Sequence, residues 1–568
     1  MLEVAPGLTF DDHQLQVWRE RVVSTCAELG WPSAAICARR HAGGAALAFA
    51  APLDQLFTAT EVNEWAWQLA CDRPAGFHAP GHPDIHDEAA WLSGLRAMAR
   101  AEAQPALMAL IAAAESRGLP AYSDDDIFSI GEGEGSRCWP PESLPAPDAV
   151  EWSGLRGVAK ALVSGSNGKT TTVRLLSALC RAHGWRTGHT CTDGLFVDGV
   201  SVLAGDYAGP TGARTMLRRP EVQAAVLETA RGGLLRRGLA VRRANVAVVT
   251  NISADHYGEY GIHNLDDLAD AKLVLAHAIG PSGVLVLNAD DAMLVRKSER
   301  LSCPLAWFAL DHEHPLLVSH RARGGRTCGV RDGIMLLSRG DDSQRLGRVA
   351  DMPLSLSALA AYNIGNLAAA ALAADALGIA ATTIATLFAR FGASNADNPG
   401  RLQRWLLPAL QVFMDYAHNP DGLRGFLQLT QSARGAGRMA LVLGQAGNRA
   451  DDDIRALANV AAEFRPDLVI LKDIGGFMRG RQPGEVPAIL RDQLLRCGLP
   501  AAAIRDCQGE VDAARVALAW ANAGDVLALP IHGLAARAEV SALLDRLHAD
   551  HWRPGQPLPP ASEATMPA

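Results

Sequence analysis

The chain has 568 residues, enough for about three to four domains. Hydrophobic residues make up 49% and charged residues 20%, a balance that excludes wholesale disorder and allows several sizeable cores without disulfide staples. The net charge of −8 is spread along the chain with no Lys/Arg-rich block, which argues against nucleic acid and anionic membrane as partners.

Residues 1–140 mix helical patterns with short apolar runs at Ser33–Cys37 and Ala45–Ala51, the pattern of an α+β domain. The early acids and the missing basic-then-apolar start predict no signal peptide. Ten cysteines are scattered without a single Cys-x-x-Cys pair, which fits a reducing, cytoplasmic setting. Four prolines between Cys138 and Trp152 read as a linker, centred on 141–154. From 155 to 396 short Val/Leu/Ile-rich runs alternate with helical segments, predicting βαβ units around a mostly parallel sheet. The apolar stretch Leu367–Ala389 is interrupted by Asp375, Thr382 and Thr383, so it reads as buried helices and not a membrane span. The alternation restarts over 397–552, with strands expected at Gln411–Asp415, Met439–Gly444, Asp467–Lys472 and Asp525–Pro530. The Pro-rich end, 553–568, reads as a disordered tail.

The first chemistry appears after the apolar run Val158–Val163, in Ser-Gly-Ser-Asn-Gly-Lys-Thr-Thr-Thr (164–172). A helical pattern follows, with Val173, Leu176, Leu179 and Cys180 on one face and a stop near Gly184. Strand, Gly-rich loop and helix together make a phosphate-binding loop. Gly165 and Gly168 let backbone N–H groups turn around a polyphosphate, Lys169 reaches the terminal phosphates, and Thr170 holds Mg²⁺. Val163 departs from the strict spacing, which wants glycine there. Two later strands end in Glu228 and in a loop with Asn251, Asp255 and His256. In a parallel sheet such ends share one edge with the phosphate loop, so Glu228 and His256 are candidate ligands of a Mg²⁺–nucleotide.

These motifs, with CTDGLFVDG (191–199), GDYAGPTGAR (205–214), LETARGGLLRRG (227–238), YNIGN (362–366), PGRLQ (399–403), DYAHNPDGL (415–423) and FMRGRQPGE (477–485), resemble the Mur ligases. More closely, the chain is similar to the C-terminal, Mur-ligase-like half of cyanophycin synthetases. Residues 1–140 look like the N-terminal domain of that group, and the linker of about 15 residues (138–152) that follows is too short to hold its ATP-grasp domain. The resemblance implies a three-domain α/β architecture: an N-terminal α+β domain, a central phosphate-loop domain with a parallel sheet, and a C-terminal Rossmann-like domain. It implies an ATP- and Mg²⁺-dependent ligase that turns a carboxylate into an acyl phosphate and couples it to an amine.

By the same resemblance Gly165, Asn167, Gly168, Lys169, Thr170, Thr171, Asn363, Arg401 and Asp415 bind ATP. Thr170, Glu228 and His256 bind Mg²⁺, and Lys169, Glu228, His256 and Lys272 are the catalytic set. Lys272 matches a lysine that many Mur ligases carbamylate. His418, Asn419, Arg449, Arg479, Arg481 and Glu485 fall where the acceptor is held, the arginines being suited to a peptide carboxylate. The implied partners are a carboxylate substrate (amino acid, short peptide or aspartate-containing chain), an amine, a separate ATP-grasp protein, and a second copy of the chain. Three readings stand open: a stand-alone ligase, a ligase subunit working with an ATP-grasp partner, and a non-catalytic scaffold for a cyanophycin-like polymer. Retention of Lys169, Thr170, Glu228 and His256 argues against the scaffold, which needs no nucleotide site.

Overall fold

A computed structural model describes residues 2–4, 11–32, 35–41, 44–71, 88–254 and 260–560. The chain divides into two compact units. One comprises Met1–Val158 with the short stretches Leu217–Glu221 and Tyr257–Leu268, and the other holds the remainder.

In the first unit an antiparallel sheet of order Leu2–Val4, Gly44–Phe49, Ile36–His41 carries three helices, Asp12–Glu28, Leu56–Ala70 and Glu88–Glu102. The first helix starts where it does because Asp11 accepts from Gln14 N (2.7 Å) while the Gln14 side chain accepts from Asp11 N (2.9 Å), a reciprocal cap. Trp18, Trp65 and Trp91 are buried between the helices, and the Trp18 indole donates to Asn63 Oδ1 at 2.9 Å. A second cluster joins the helix Pro105–Ser116 to the strands Ala121–Ser123, Phe128–Ile130 and Arg137–Trp139. The segment read as a linker belongs to this cluster: Leu144, Val150 and Trp152 pack on Leu107, Leu110 and Phe128. Prolines preset an extended backbone that needs no ladder hydrogen bonds, so a Pro-rich stretch with apolar anchors can be packed instead of spanning solvent.

The second unit contains two sheets. The larger has eleven strands in the order Val200–Ala204, Gly194–Val197, Thr187–Cys191, Ala224–Glu228, Ala159–Ser164, Ala244–Val249, Ile279–Asn288, Leu305–Asp311, Arg326–Arg331, Ile334–Arg339, Asp342–Arg348. Its seven middle strands run parallel and each edge ends in antiparallel hairpins. The helix Lys169–Ala182 is buried from Thr170 through Cys180, not on one face alone, because the sheet covers one side and the Ala-rich helix Ala361–Ala376 the other. That helix and Ala381–Phe388 account for the long apolar stretch. Among the described residues no helix is long and apolar enough to cross a membrane.

The smaller sheet runs Gln403–Leu407, Leu410–Asp415, Val526–Pro530, Met439–Leu443, Leu468–Lys472, Ile504–Cys507, parallel except for its first pair. The start of the predicted tail is held: Leu558 packs on the core of this sheet, and Arg515 donates to the carbonyl of Pro559 at 2.6 Å. An apolar residue between prolines finds a groove there, which composition alone does not reveal.

Candidate active site

The site lies at the C-terminal edge of the large sheet. Register pairs Glu228 with Val163 and Val249 with Ser164, so three strands end at one level. The loop between Ser164 and Lys169 turns there. Gly165 has φ +140°, and a Cβ on it would come within 1.9 Å of Thr250 Oγ1; Gly168 has φ +85°, and a Cβ would meet Asn366 Oδ1 at 2.2 Å. Only glycine fits either position.

The loop is braced by the neighbouring strand end. Ser166 N donates to Asn251 O (2.9 Å), Asn167 N to Asn251 Oδ1 (2.9 Å), and Asn251 Nδ2 back to Asn167 O (3.0 Å). Thr250 Oγ1 donates to Asn167 O, and Ser166 exchanges hydrogen bonds with Ser253. Lys169 folds over its own loop, donating to the carbonyls of Gly165 and Ser166 at 3.0 Å each. Thr170 and Thr171 lie in the first helical turn, where N–H groups have no partner within the helix.

Thr170 Oγ1 donates to Glu228 Oε2 at 2.8 Å. Glu228 is 1% exposed and its Oε1 has no hydrogen-bond partner among the described residues. Burial pushes its pKa above the carboxylate range, against the pull of Lys169, Thr170 and Arg401. A buried carboxylate with one oxygen open beside a hydroxyl offers hard oxygen donors of the kind Mg²⁺ takes, so the residues present fit that ion. Among the described residues no group of three or more His, Cys, Asp or Glu side chains stands together for a metal. His256, the third expected ligand, lies outside the described residues, as does Asp255. Lys272 is buried and donates to Gly165 O at 2.8 Å, so it reaches the phosphate loop.

Arg401 enters the same place from the second sheet's side. Its Nη2 lies 3.4 Å from Thr170 Oγ1 and 3.2 Å from Thr192 Oγ1, and its guanidinium covers the Tyr416 ring at 4.2 Å. Burial alone would lower its pKa, but Asp193, Asp415 and Glu228 outweigh that and hold the guanidinium firmly charged. Asp193, in the loop after Thr187–Cys191, gathers three arginines: Arg174 at 2.6 Å, Arg537 in direct contact, and Arg401 at 4.0 Å. Motif reading did not single out Asp193, Arg174 or Arg537. The CTDG run carries Asp193, but nothing local marks its partners.

The other expected nucleotide ligands are placed differently from one another. Asp415 accepts from Leu402 N (2.7 Å) and Ala417 N (2.8 Å), so its carboxylate shapes the loop it heads. Asn363 is buried, donating to Leu354 O and accepting from Asn366, whose Oδ1 accepts from Thr172 Oγ1 and abuts Gly168. Asn363 therefore acts on the phosphate loop through Asn366, a residue the motif reading passed over.

Among the acceptor-side candidates, Asn419 caps the helix Pro420–Arg434, accepting from Gly422 N at 2.8 Å, and donates to Asn167 Oδ1 at 3.0 Å. His418 stands edge-on to Tyr416, 5.2 Å between ring centroids, and its carbonyl accepts from Gln445. Arg481 ties down the 447–451 loop through the carbonyls of Gly447 and Arg449 and the Asp451 carboxylate. Those bonds use Nε and Nη2 of the guanidinium that sequence reading offered to a peptide carboxylate. Arg449 is buried, Arg479 is exposed over Phe477, and Glu485 accepts from Gln482 N at the head of the helix Glu485–Arg496.

A glycine cradle, a buried threonine–glutamate pair and an arginine brought in by a second α/β sheet define a two-sheet phosphate-loop fold. The profile of the Mur ligase middle domain matches residues 163–374, and that of the Mur ligase glutamate ligase domain matches 400–529. The chain belongs to the Mur ligase family. It is 36% identical over 331 residues to the cyanophycin synthetase of Trichormus variabilis, covering 58% of this chain and 36% of that one. It is 30% identical over 429 residues to a UDP-N-acetylmuramoyl-L-alanyl-D-glutamate–2,6-diaminopimelate ligase of Xanthomonas campestris pv. campestris, covering 71% and 81%. The chain thus spans about a third of the length of the cyanophycin synthetases it matches. Among solved structures, E. coli FolC in complex with DHPP and ADP shares the fold at a TM-score of 0.51, 19% identity, over 68% of this chain and 89% of that one.

Proposed function

We propose that the protein is an ATP- and Mg²⁺-dependent amide-bond ligase. It activates a carboxylate as an acyl phosphate and couples it to an amino acid or other amine, in the manner of a cyanophycin synthetase. The observation that carries this reading is the Thr170–Glu228 pair at the head of the phosphate loop, with Glu228 Oε1 left open. Thr170, Glu228 and His256 would hold Mg²⁺, which neutralises charge on the transferred phosphoryl group. The loop amides and Lys169 orient the phosphates, and Arg401 supplies a fixed positive charge beside Thr170. Lys272, against Gly165, keeps the loop in register with the acid substrate. Asp415 and Asn363 act on the nucleotide through the segments they brace. The Tyr416–Asn419 loop and Arg449 face the amine, with Arg479 and Glu485 at the rim. The matched relatives support this assignment of chemistry; the acid is an amino acid, short peptide or aspartate-containing chain, and the amine is an amino acid or other amine.

The test is phosphate release from ATP by the purified protein across a matrix of amines (arginine, lysine, ornithine) and acids (aspartate, β-aspartyl-arginine, short poly-aspartate). One pair should be required, with a product heavier by the amine minus water. Lys169→Ala should lose turnover by at least about 100-fold with its unfolding midpoint unchanged. Undiminished phosphate release in that variant refutes the site. Release that appears only when an ATP-grasp protein is added would favour the two-component form of the ligase.

A further inference from the structure

Four strand ends of the smaller sheet converge on a charged cluster that the reading above does not use. Lys472, the last residue of Leu468–Lys472, is fully buried. Its ammonium contacts Glu510 Oε1 directly and lies 2.9 Å from His532 Nδ1. Glu510 begins the helix Glu510–Trp520 and also accepts from His532 N and Gly533 N, each at 2.7 Å. His532 follows Val526–Pro530, and its Nε2 lies 3.2 Å from the carbonyl of Ala417. Gly444, after Met439–Leu443, leaves room for the lysine stem: a Cβ there would come within 2.5 Å of Lys472 O and 3.1 Å of its Cγ.

The proton positions follow from donor chemistry. Burial lowers the Lys472 pKa and Glu510 favours its charged form; as an ammonium it can only donate, so His532 Nδ1, which also stands 3.5 Å from Glu510 Oε1, accepts from Lys472. The ring proton then sits on Nε2, facing a carbonyl that can only accept. Burial and the Lys472 charge hold the His532 pKa down to about 4, so the ring stays neutral near pH 7. Next to Ala417, the carbonyl of His418 accepts from Gln445 Nε2 at 2.7 Å. Two consecutive carbonyls of one loop are thereby gripped, while the Tyr416 ring stands edge-on to both His418 and His532. Stability does not explain such a cluster, because apolar residues of similar volume usually replace a buried ion pair at no loss.

We infer that Lys472, Glu510 and His532 form a positioning relay that fixes the Tyr416–Asn419 loop, and with it the amine-acceptor side of the ligase, through a single Nε2–H donated to Ala417 O. The inference rests on the proposed ligase site, and its test separates the two. In full-length protein labelled at histidine nitrogen, two-bond ¹H–¹⁵N correlations should show His532 as a neutral Nε2–H tautomer from pH 5.5 to 8.5. This readout needs no turnover. A ring protonated on Nδ1, or one titrating near pH 6.5, overturns the relay whatever the enzyme does.

Kinetics then reads the consequence. His532→Phe should raise KM for the amine by roughly 10- to 100-fold with KM for ATP changed less than about threefold. His532→Gln, which places an amide N–H near the Nε2 position, should recover most of that loss. A His532→Phe variant with wild-type KM, or a Gln variant as impaired as the Phe one, overturns the proposal. Should the wild-type protein release no phosphate with any pair, the ligase reading fails while the tautomer still decides the relay.

Discussion

Replacing Asp193 with asparagine keeps the side chain's shape and removes the charge shared by Arg174 and Arg537. The carboxylate is 4% exposed and those guanidinium side chains 7% and 8%, so the change leaves two cations with little access to water. Removing one partner of a buried ion pair costs about 3–5 kcal/mol, mostly as the desolvation of what remains. Arg174 keeps hydrogen bonds to Asn398 Oδ1 and Pro399 O, which places the expectation toward the lower half of that range. For a unit of roughly 400 residues the unfolding entropy is about 0.8 kcal/mol/K, so the melting temperature should fall by about 4–5 °C. Burial pushes the Asp193 pKa up, but Arg401, Arg537 and Arg174 overcome it and set it well below the ordinary value. A depressed folded pKa means the stabilisation is complete above the unfolded value near ~4 and is lost as pH falls below it. The gap between wild type and Asp193→Asn should therefore be constant from pH 5 to 8 and close toward pH 3. Scanning calorimetry across that range measures it. The double variant Asp193→Asn/Arg537→Met should lose less than the sum of the singles. A penalty under about 1 kcal/mol at pH 7, or one that widens in acid, refutes the account.

Two further outcomes follow from the site. Glu228 has a raised pKa because burial penalises its charge, so its ionised form costs stability, increasingly as pH rises through the carboxylate range. Glu228→Gln should be more stable than wild type at pH 8, by about 0.5–2 kcal/mol, while losing phosphate release; equal activity or lower stability contradicts the role given to that carboxylate. Gly168→Ala meets both a left-handed backbone and Asn366, and should lose about 2–4 kcal/mol together with ADP binding by titration calorimetry. Gly184→Ala, at φ +105° with nothing within 4 Å of the new Cβ, is its control and should cost only about 1 kcal/mol, leaving ADP binding intact.

How much of this was legible depends on how far apart the interacting residues stand in the chain. Four of the five parallel strands of the smaller sheet were readable almost to the residue, because strands buried on both faces show as continuous apolar runs; the largely exposed edge strand Ile504–Cys507 shows no such run and was missed. The phosphate loop was readable because its glycines, lysine and threonine act within nine residues. Asn419 could have been read better: an asparagine followed by proline, then an acid in the first turn, is a helix start, and that is where the structure puts its side-chain oxygen. Its amide nitrogen is spent on Asn167, 252 residues away, which no local rule reaches.

The buried charges lie further still from sequence rules. Asp193 meets Arg174 within one βαβ turn but Arg537 only after 344 residues, and Lys472 meets His532 after 60. A charged residue in isolation reads as solvent-facing, because burying it alone is prohibitive. Its burial becomes affordable only when the topology delivers an opposite charge, and strand order, not local sequence, makes that delivery. Lys472 shows the consequence: at the end of an apolar run it reads as a strand terminus turning to water, yet the adjacent strand Ile504–Cys507 leads to Glu510, and Val526–Pro530, one strand further away beyond Met439–Leu443, carries His532 to the same edge. A sequence reading finds such clusters only by asking which charged residues fall just after the C-terminal ends of neighbouring parallel strands. Asked that way, Glu228, Asp415, Lys472 and His532 all lie at or within two residues of a strand end. One rule then recovers the nucleotide edge of the large sheet and two of the three members of the relay, Glu510 falling three residues past the end of Ile504–Cys507.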